Sequence, residues 1–213
     1  MKIYEVSGNR FILGEEDVDV VEMCNKYECD GYLQVCSHQL SVYNKDGSKA
    51  NLCINGLHCF TQYLYDKDGI YYFYALVIEN MVYKSEIISV EPFISKVTIK
   101  YPNIYRNYVY LGNDHMILLD EKYENAAMLC ERYDCNINYV NVINRKCIEV
   151  KTYERGVGFT ASCGSGNVSS VAYCYENDLC DKQVDVINEG GICSVEIYNQ
   201  IEITSMSSFV EEI

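Results

Sequence analysis

Apolar and polar residues alternate with a period of two along most of the chain, in short runs rich in Val, Ile and Tyr, and that period predicts half-buried β-strands. The runs are Lys2–Val6, Arg10–Leu13, Tyr32–Cys36, Gln39–Tyr43, Tyr71–Ile78, Met81–Ser89, Lys96–Tyr101, Tyr108–Leu111, Met116–Leu119, Ile137–Val142, Cys147–Thr152, Gln183–Ile187, Ile192–Tyr198 and Gln200–Thr204. Turn-forming residues separate them at Asn44-Lys45-Asp46-Gly47, Glu79-Asn80 and Glu189-Gly190-Gly191, as antiparallel hairpins require. Four stretches follow a helical period instead. Asp17–Tyr27 sets Val18, Val21 and Cys24 on one face, and Glu121–Tyr133 sets Tyr123, Ala126, Ala127, Cys130 and Tyr133 at helical spacing. Asn55–Tyr65 and Gly166–Glu176 each follow a cysteine and a short polar turn, and each ends before an Asp/Asn-rich exit.

Those last two helices are copies. When Cys53 faces Cys163, an offset of 163 − 53 = 110 residues, Cys53-Ile54-Asn55-Gly56 aligns with Cys163-Gly164-Ser165-Gly166. Further identities fall at Tyr43/Tyr153, Tyr63/Tyr173, Tyr65/Tyr175 and Asp68/Asp178. Gly8-Asn9 and Gly112-Asn113 also precede similar apolar runs near the start of each half. Strand, polar turn, cysteine and helix recur in one order, so the chain reads as an internal duplication: two like domains, one cysteine each, facing across a cleft.

Composition narrows the function. The chain has 213 residues, 49% of them hydrophobic, which is ample for a core without staples. Its 17 Lys and Arg against 31 Asp and Glu give a net charge of −14. A phosphate backbone would be repelled, so nucleic-acid and polybasic membrane docking are not expected. No secretory leader and no membrane-length apolar stretch is evident, and a cytoplasmic chain is expected. In a reducing cytosol the twelve cysteines are thiols, by default small buried hydrophobes and in a few cases reactive groups.

A thiol immediately before a helix lies where unsatisfied N–H groups and the positive end of the macrodipole favour the thiolate. The same N–H groups form an anion site suited to a carboxylate. Two such helix starts converging on one carboxylate would leave a thiol or thiolate on each side of its α-carbon. That arrangement removes a proton from one face and returns one on the other, which inverts a stereocentre. The carbanionic transition state needs donors fixed in advance, and a dry site raises thiolate basicity. No pyridoxal phosphate is called for, no anchoring lysine motif is evident, and no metal is implied.

The run Tyr153-Glu154-Arg155-Gly156-Val157-Gly158-Phe159-Thr160-Ala161-Ser162-Cys163-Gly164-Ser165-Gly166 closely resembles the second cysteine motif of the diaminopimelate epimerase family. Asn44-Lys45-Asp46-Gly47-Ser48 followed by Cys53-Ile54-Asn55-Gly56 resembles the first motif, and Gly8-Asn9-Arg10-Phe11, Gly112-Asn113-Asp114-His115 and Gly190-Gly191 fall where that family has its Gly-Asn pairs and late hairpin. The resemblance implies an α/β (α+β) fold of two pseudo-symmetric domains, each a mainly antiparallel sheet wrapped around a central helix. The domains would be residues 1–104 with 203–213, and residues 105–202. It further implies that Cys53 and Cys163 are the two acid/base groups, and that the backbone around Asn55, Gly56, Gly164 and Ser165 holds the reacting carboxylate. Asn9, Asn44, Asn113, Asn136 and Arg155 would hold the substrate, with Glu154 meeting its amino groups.

The implied activity is cofactor-independent epimerisation of diaminopimelate, in lysine biosynthesis. The partner is a small amino acid, and a homodimer is compatible with it. Several positions depart from the family pattern: Ile54 replaces a glycine, placing a branched side chain against the anion site. Phe159 replaces an acid or glutamine, Asp114 a proline, and Glu28-Cys29-Asp30-Gly31 the usual Gly-Ala-Asp-Gln; the chain is also shorter than family members. Ser7-Gly8-Asn9, Ser162-Cys163-Gly164-Ser165-Gly166 and Asn177-Asp178-Leu179-Cys180 resemble the histidine racemases of opine-metallophore pathways. The alternatives are therefore a racemase of another amino acid and a non-catalytic amino-acid-binding relative.

Simpler readings compete at other positions. Cys24 with Cys29, and Cys130 with Cys135, bracket four residues as zinc ligands can, but they fall on or near amphipathic helices without paired histidines, which favours core packing. His58 and His115 read as local hydrogen-bonding residues and not as partners in a Cys-His hydrolase. Gly156-Val157-Gly158 lacks the βαβ setting of a dinucleotide loop.

Overall fold

The computed structural model describes residues 1–36, 39–69, 74–78, 81–119 and 122–213. The Glu79-Asn80 turn, the first three residues of the Tyr71–Ile78 run and Glu121 lie outside the described residues. The elements are β1 (Lys2–Val6), β2 (Asn9–Gly14), α1 (Val20–Lys26), β3 (Gly31–Cys36), β4 (Gln39–Asn44), β5 (Lys49–Ala50), α2 (Ile54–Asp68), β6 (Tyr74–Ile78), β7 (Met81–Val90) and β8 (Phe93–Lys100). They continue with β9 (Asn103–Tyr105), β10 (Tyr108–Tyr110), β11 (Asp114–Leu119), α3 (Ala126–Tyr133), β12 (Asn136–Asn144), β13 (Cys147–Glu154), β14 (Gly158–Phe159), α4 (Gly164–Glu176), β15 (Gln183–Asn188), β16 (Gly191–Ile197) and β17 (Gln200–Glu212). The fold is mixed α+β and consists of two compact units, one of Met1–Thr98 with Thr204–Ile213 and the other of Ile99–Ile203.

The two units repeat one wiring. In the first, β1 pairs antiparallel with β2, β2 parallel with β3, β3 antiparallel with β4, β4 antiparallel with β5 and parallel with β6, and β6 antiparallel with β7. In the second, β10, β11, β12, β13, β14, β15 and β16 reproduce that series pair by pair. Each parallel pair needs a crossover, and helices supply it: α1 and α3 join the first parallel pair of each unit, α2 and α4 the second.

The crossover helices differ in burial. α2 is buried at every position from Ile54 to Leu64, and α4 at ten positions between Gly164 and Cys174. A helix buried all round is a core element, so the strands of each unit pack around its own central helix. Some of the polar side chains of these helices find partners inside: Thr61 Oγ1 donates to the Leu57 carbonyl at 2.8 Å, and Asn167 and Asn188 exchange amide bonds at 2.7 and 3.0 Å.

The outer helices are shorter than their periodicity predicts. α1 starts at Val20 because the Asp19 carboxylate caps the Glu22 N–H at 3.0 Å; Val21 is exposed, and Cys24 is the residue that enters the core. On the segment leading into α3, Tyr123 forms a 3-10 turn. Tyr123, Ala127 and Tyr133 are exposed, leaving Ala126 and Cys130 inside. The cysteine pairs considered for zinc pack into matching clusters, Cys24 and Cys29 with Ile3, Ile12 and Tyr32, and Cys130 and Cys135 with Met116, Ile137 and Tyr139. Three short strands, β5, β9 and β14, are too brief to show a period, and β17 runs eight residues beyond Thr204.

Candidate active site

Cys53 and Cys163 occupy the same place in their units. Each is the N-cap of the central helix, with φ/ψ of −138°/103° and −132°/107°, and neither helix has an acidic residue in its first turn. The usual neutralisation of a helix N-terminus by Asp or Glu is thus missing from both. Such a helix end is suited to an anion. The Gly56 N–H donates to Cys53 Sγ at 3.3 Å, whereas Cys163 Sγ lies 3.4 Å from the Ser165 hydroxyl.

Around Cys53 a line of amides runs back to a carboxylate. Asn55 Nδ2 donates to Asn9 Oδ1 at 3.1 Å, and Asn9 Nδ2 donates to Asp30 Oδ2 at 2.9 Å, which also accepts the Arg10 N–H. A carboxylate only accepts, so this order fixes both amide orientations and directs the Asn55 carbonyl oxygen away from Asn9. Asn44 closes the β4–β5 turn, donating from Nδ2 to Ser48 Oγ at 3.0 Å. The neighbouring Lys45 N–H donates to the Asp30 carbonyl, tying that turn to the same line. Ser48 donates twice to Asp46, which holds that carboxyl below its usual range.

In the second unit Asn136 Oδ1 accepts the Arg155 N–H at 2.9 Å, and Thr160 Oγ1 donates to Glu154 Oε1 at 2.8 Å. The Arg155 guanidinium pairs with Asp134 at 3.0 Å. Asn113 is half-buried at the bend before β11. Ile54, the branched residue beside the first cysteine, is buried at 1% exposure.

The structure therefore joins Cys53, Gly56, Asn55 and Asn9 within the first unit, and Cys163 with Ser165, and Asn136 with Arg155, within the second. Asp30, Asp134, His115, Asn138 and Thr152 take part in these networks; of these the sequence singles out His115, as a local hydrogen-bonding residue. The signal that could have found Asn138 and Thr152 is a polar residue on the buried face of an otherwise apolar strand. Burial pushes the thiols of Cys24, Cys135 and Cys180 up to about 11 and those of Cys29 and Cys193 to about 12. These remain protonated at neutral pH. Among the described residues no group of three or more His, Cys, Asp or Glu is placed to hold a metal ion, and no helix is long and apolar enough to cross a membrane.

No protein-family model matches the chain. It is 30% identical to the diaminopimelate epimerase of Clostridium perfringens, across 95% of this chain and 90% of that one. Two solved structures share its fold. A phenazine biosynthesis protein of the PhzF family from Bacillus anthracis superposes with a TM-score of 0.76 at 13% identity, over 100% of this chain and 97% of that one. A hydroxyproline epimerase from Agrobacterium vitis, with bound trans-4-hydroxy-L-proline, superposes with a TM-score of 0.69 at 10% identity, over 98% and 88%.

Proposed function

The chain belongs to the diaminopimelate epimerase family, and on that premise we propose that it inverts the α-carbon of diaminopimelate by two-thiol acid/base chemistry. One cysteine, as thiolate, takes the α-proton, and the other, as thiol, delivers a proton to the opposite face. The roles exchange with the direction of reaction. Backbone N–H groups at Asn55, Gly56, Gly164 and Ser165 hold the carboxylate and stabilise the charge that spreads into it as the proton leaves. No cofactor is needed to carry that charge. Asn9, Asn44, Asn113, Asn136, Glu154 and Arg155 hold the remainder of the substrate.

The observation that carries this reading is the repeated cap: one cysteine in each unit, at the start of the buried helix, with matching backbone angles and no acid in the first turn. The test is α-proton exchange in D2O under reducing conditions, across diaminopimelate isomers, histidine and other amino acids. Exchange on diaminopimelate, lost in Cys53→Ala and Cys163→Ala, is the expected result; no exchange on any of them sinks the reading. One feature favours a racemase of another amino acid. Arg155 is already paired with Asp134 through Nη1, so a distal carboxylate must share the guanidinium with that partner or displace it, and a substrate without one need not.

A further inference from the structure

Five polar side chains of the second unit form a line that ends at Cys163. Thr152 Oγ1 donates to Asn138 Oδ1 at 3.0 Å, Asn138 Nδ2 meets His115 Nδ1 at 3.1 Å, His115 Nε2 meets Ser165 Oγ at 3.1 Å, and Ser165 Oγ lies 3.4 Å from Cys163 Sγ. Thr152, Asn138, His115 and Ser165 are all buried, the middle two completely.

The direction of every bond follows from one peptide group. Asn138 Nδ2 also lies 3.2 Å from the Met116 carbonyl, which can only accept, so that corner of the amide is the NH2 group. Its second hydrogen points at His115 Nδ1, which must then carry the lone pair. The ring proton is on Nε2 and is donated to Ser165 Oγ, leaving the serine hydrogen for Cys163 Sγ. Burial holds the His115 pKa down to about 4, so the ring carries a single proton at neutral pH, as this order requires.

The line is not a requirement of the fold, because the duplicated unit does without it. Tyr43 and Tyr153 align, so Thr152 corresponds to Val42. Strand pairing then matches Asn138 to Leu33, and His115 to Phe11. Those three side chains are apolar and buried, and the same sheet closes over them. A buried polar chain gains little stability over such apolar packing and is costly if any member loses its partner. Gly166 accommodates it: a Cβ there would run into Asn138 Oδ1 and sit 2.7 Å from Thr152 Oγ1.

We infer that Asn138 is a positioning residue: through His115 and Ser165 it keeps a hydrogen-bond donor on Cys163 Sγ and so favours the thiolate in that half of the reaction. The line has catalytic meaning only within the two-thiol reading, and the test separates the two. Iodoacetamide alkylation of Cys163, read by peptide mapping from about pH 6 to 10, reports the thiol whether or not the protein turns over. Asn138→Leu, which copies Leu33, is expected to raise the alkylation midpoint by about one pH unit and to slow α-proton exchange about tenfold, with KM little changed. An unchanged midpoint overturns the inference, even if the variant is less stable. If Asn138→Leu does not fold, Ser165→Ala removes only the last hydroxyl, and an unchanged midpoint there overturns the inference equally. A shifted midpoint in a protein without exchange on any substrate leaves the line standing and removes the proposed reaction; exchange with an unshifted midpoint does the reverse.

Discussion

Gly56 and Gly166 occupy the same turn of their helices, yet their surroundings give opposite expectations for alanine. At Gly56 a Cβ would lie 3.2 Å from Cys53 Sγ and from Leu33 Cδ2, side-chain atoms that can yield by a few tenths of an ångström. The gain in helix propensity, about 1 kcal/mol, offsets that crowding, and Gly56→Ala should leave stability near the wild-type value. At Gly166 the obstacles are the Asn138 and Thr152 oxygens, held by their own hydrogen bonds. Gly166→Ala should therefore destabilise by about 1–3 kcal/mol after the propensity gain, read as a lower urea midpoint at unchanged m-value. Equal effects at the two positions would mean that the Asn138 line is softer than its hydrogen bonds imply.

At the scale of elements, the helix starts combine two roles that substitution can separate. Cys53 caps α2 by accepting the Gly56 N–H and is also a proposed acid/base group. Serine keeps an acceptor at the cap and alanine does not, a difference of about 1 kcal/mol. Cys53→Ser and Cys53→Ala should thus both lose exchange activity, while only the alanine variant melts measurably lower. A stable, inactive serine variant is the outcome that assigns the thiol to chemistry and not merely to capping. These starts were legible in the sequence because cysteine, polar turn and helix recur at a fixed offset, and the longer strands were legible because their buried faces alternate. The Asn138 line was not, because its members are scattered over β11, β12, β13 and α4 and meet only through strand pairing. Nor was the retreat of α1 to Val20, which is decided by the Asp19 cap; apolar spacing alone extended it to Asp17. Val21 shows the same limit: its spacing suits the buried face, but the helix rotates Cys24 inward and leaves Val21 in water.

Across the whole molecule the two central cores share one electrostatic property, a buried neutral histidine. His58 bonds Ser95 at 2.7 Å and His115 bonds Ser165, and burial lowers their pKa values to about 3 and about 4. An unfolded histidine titrates at about 6.5. Between that value and the folded ones the unfolded chain binds protons that the native chain does not, so stability rises with pH through this window. It is fully present above about pH 6.5 and is lost as pH falls toward 4, by ~1.4 kcal/mol per pH unit for each histidine. The net charge of −14 works in the opposite direction, since protonating carboxylates relieves self-repulsion as pH falls. Only a difference measurement isolates the histidines. Urea unfolding of the wild type and of His115→Asn at a series of pH values should give curves whose separation changes by ~1.4 kcal/mol per unit between pH 6.5 and about 4, and is constant above it. A separation independent of pH would mean that His115 takes up its proton as readily in the native core as in the unfolded chain; below about pH 6.5 the ring would then carry two protons and could not accept from Asn138.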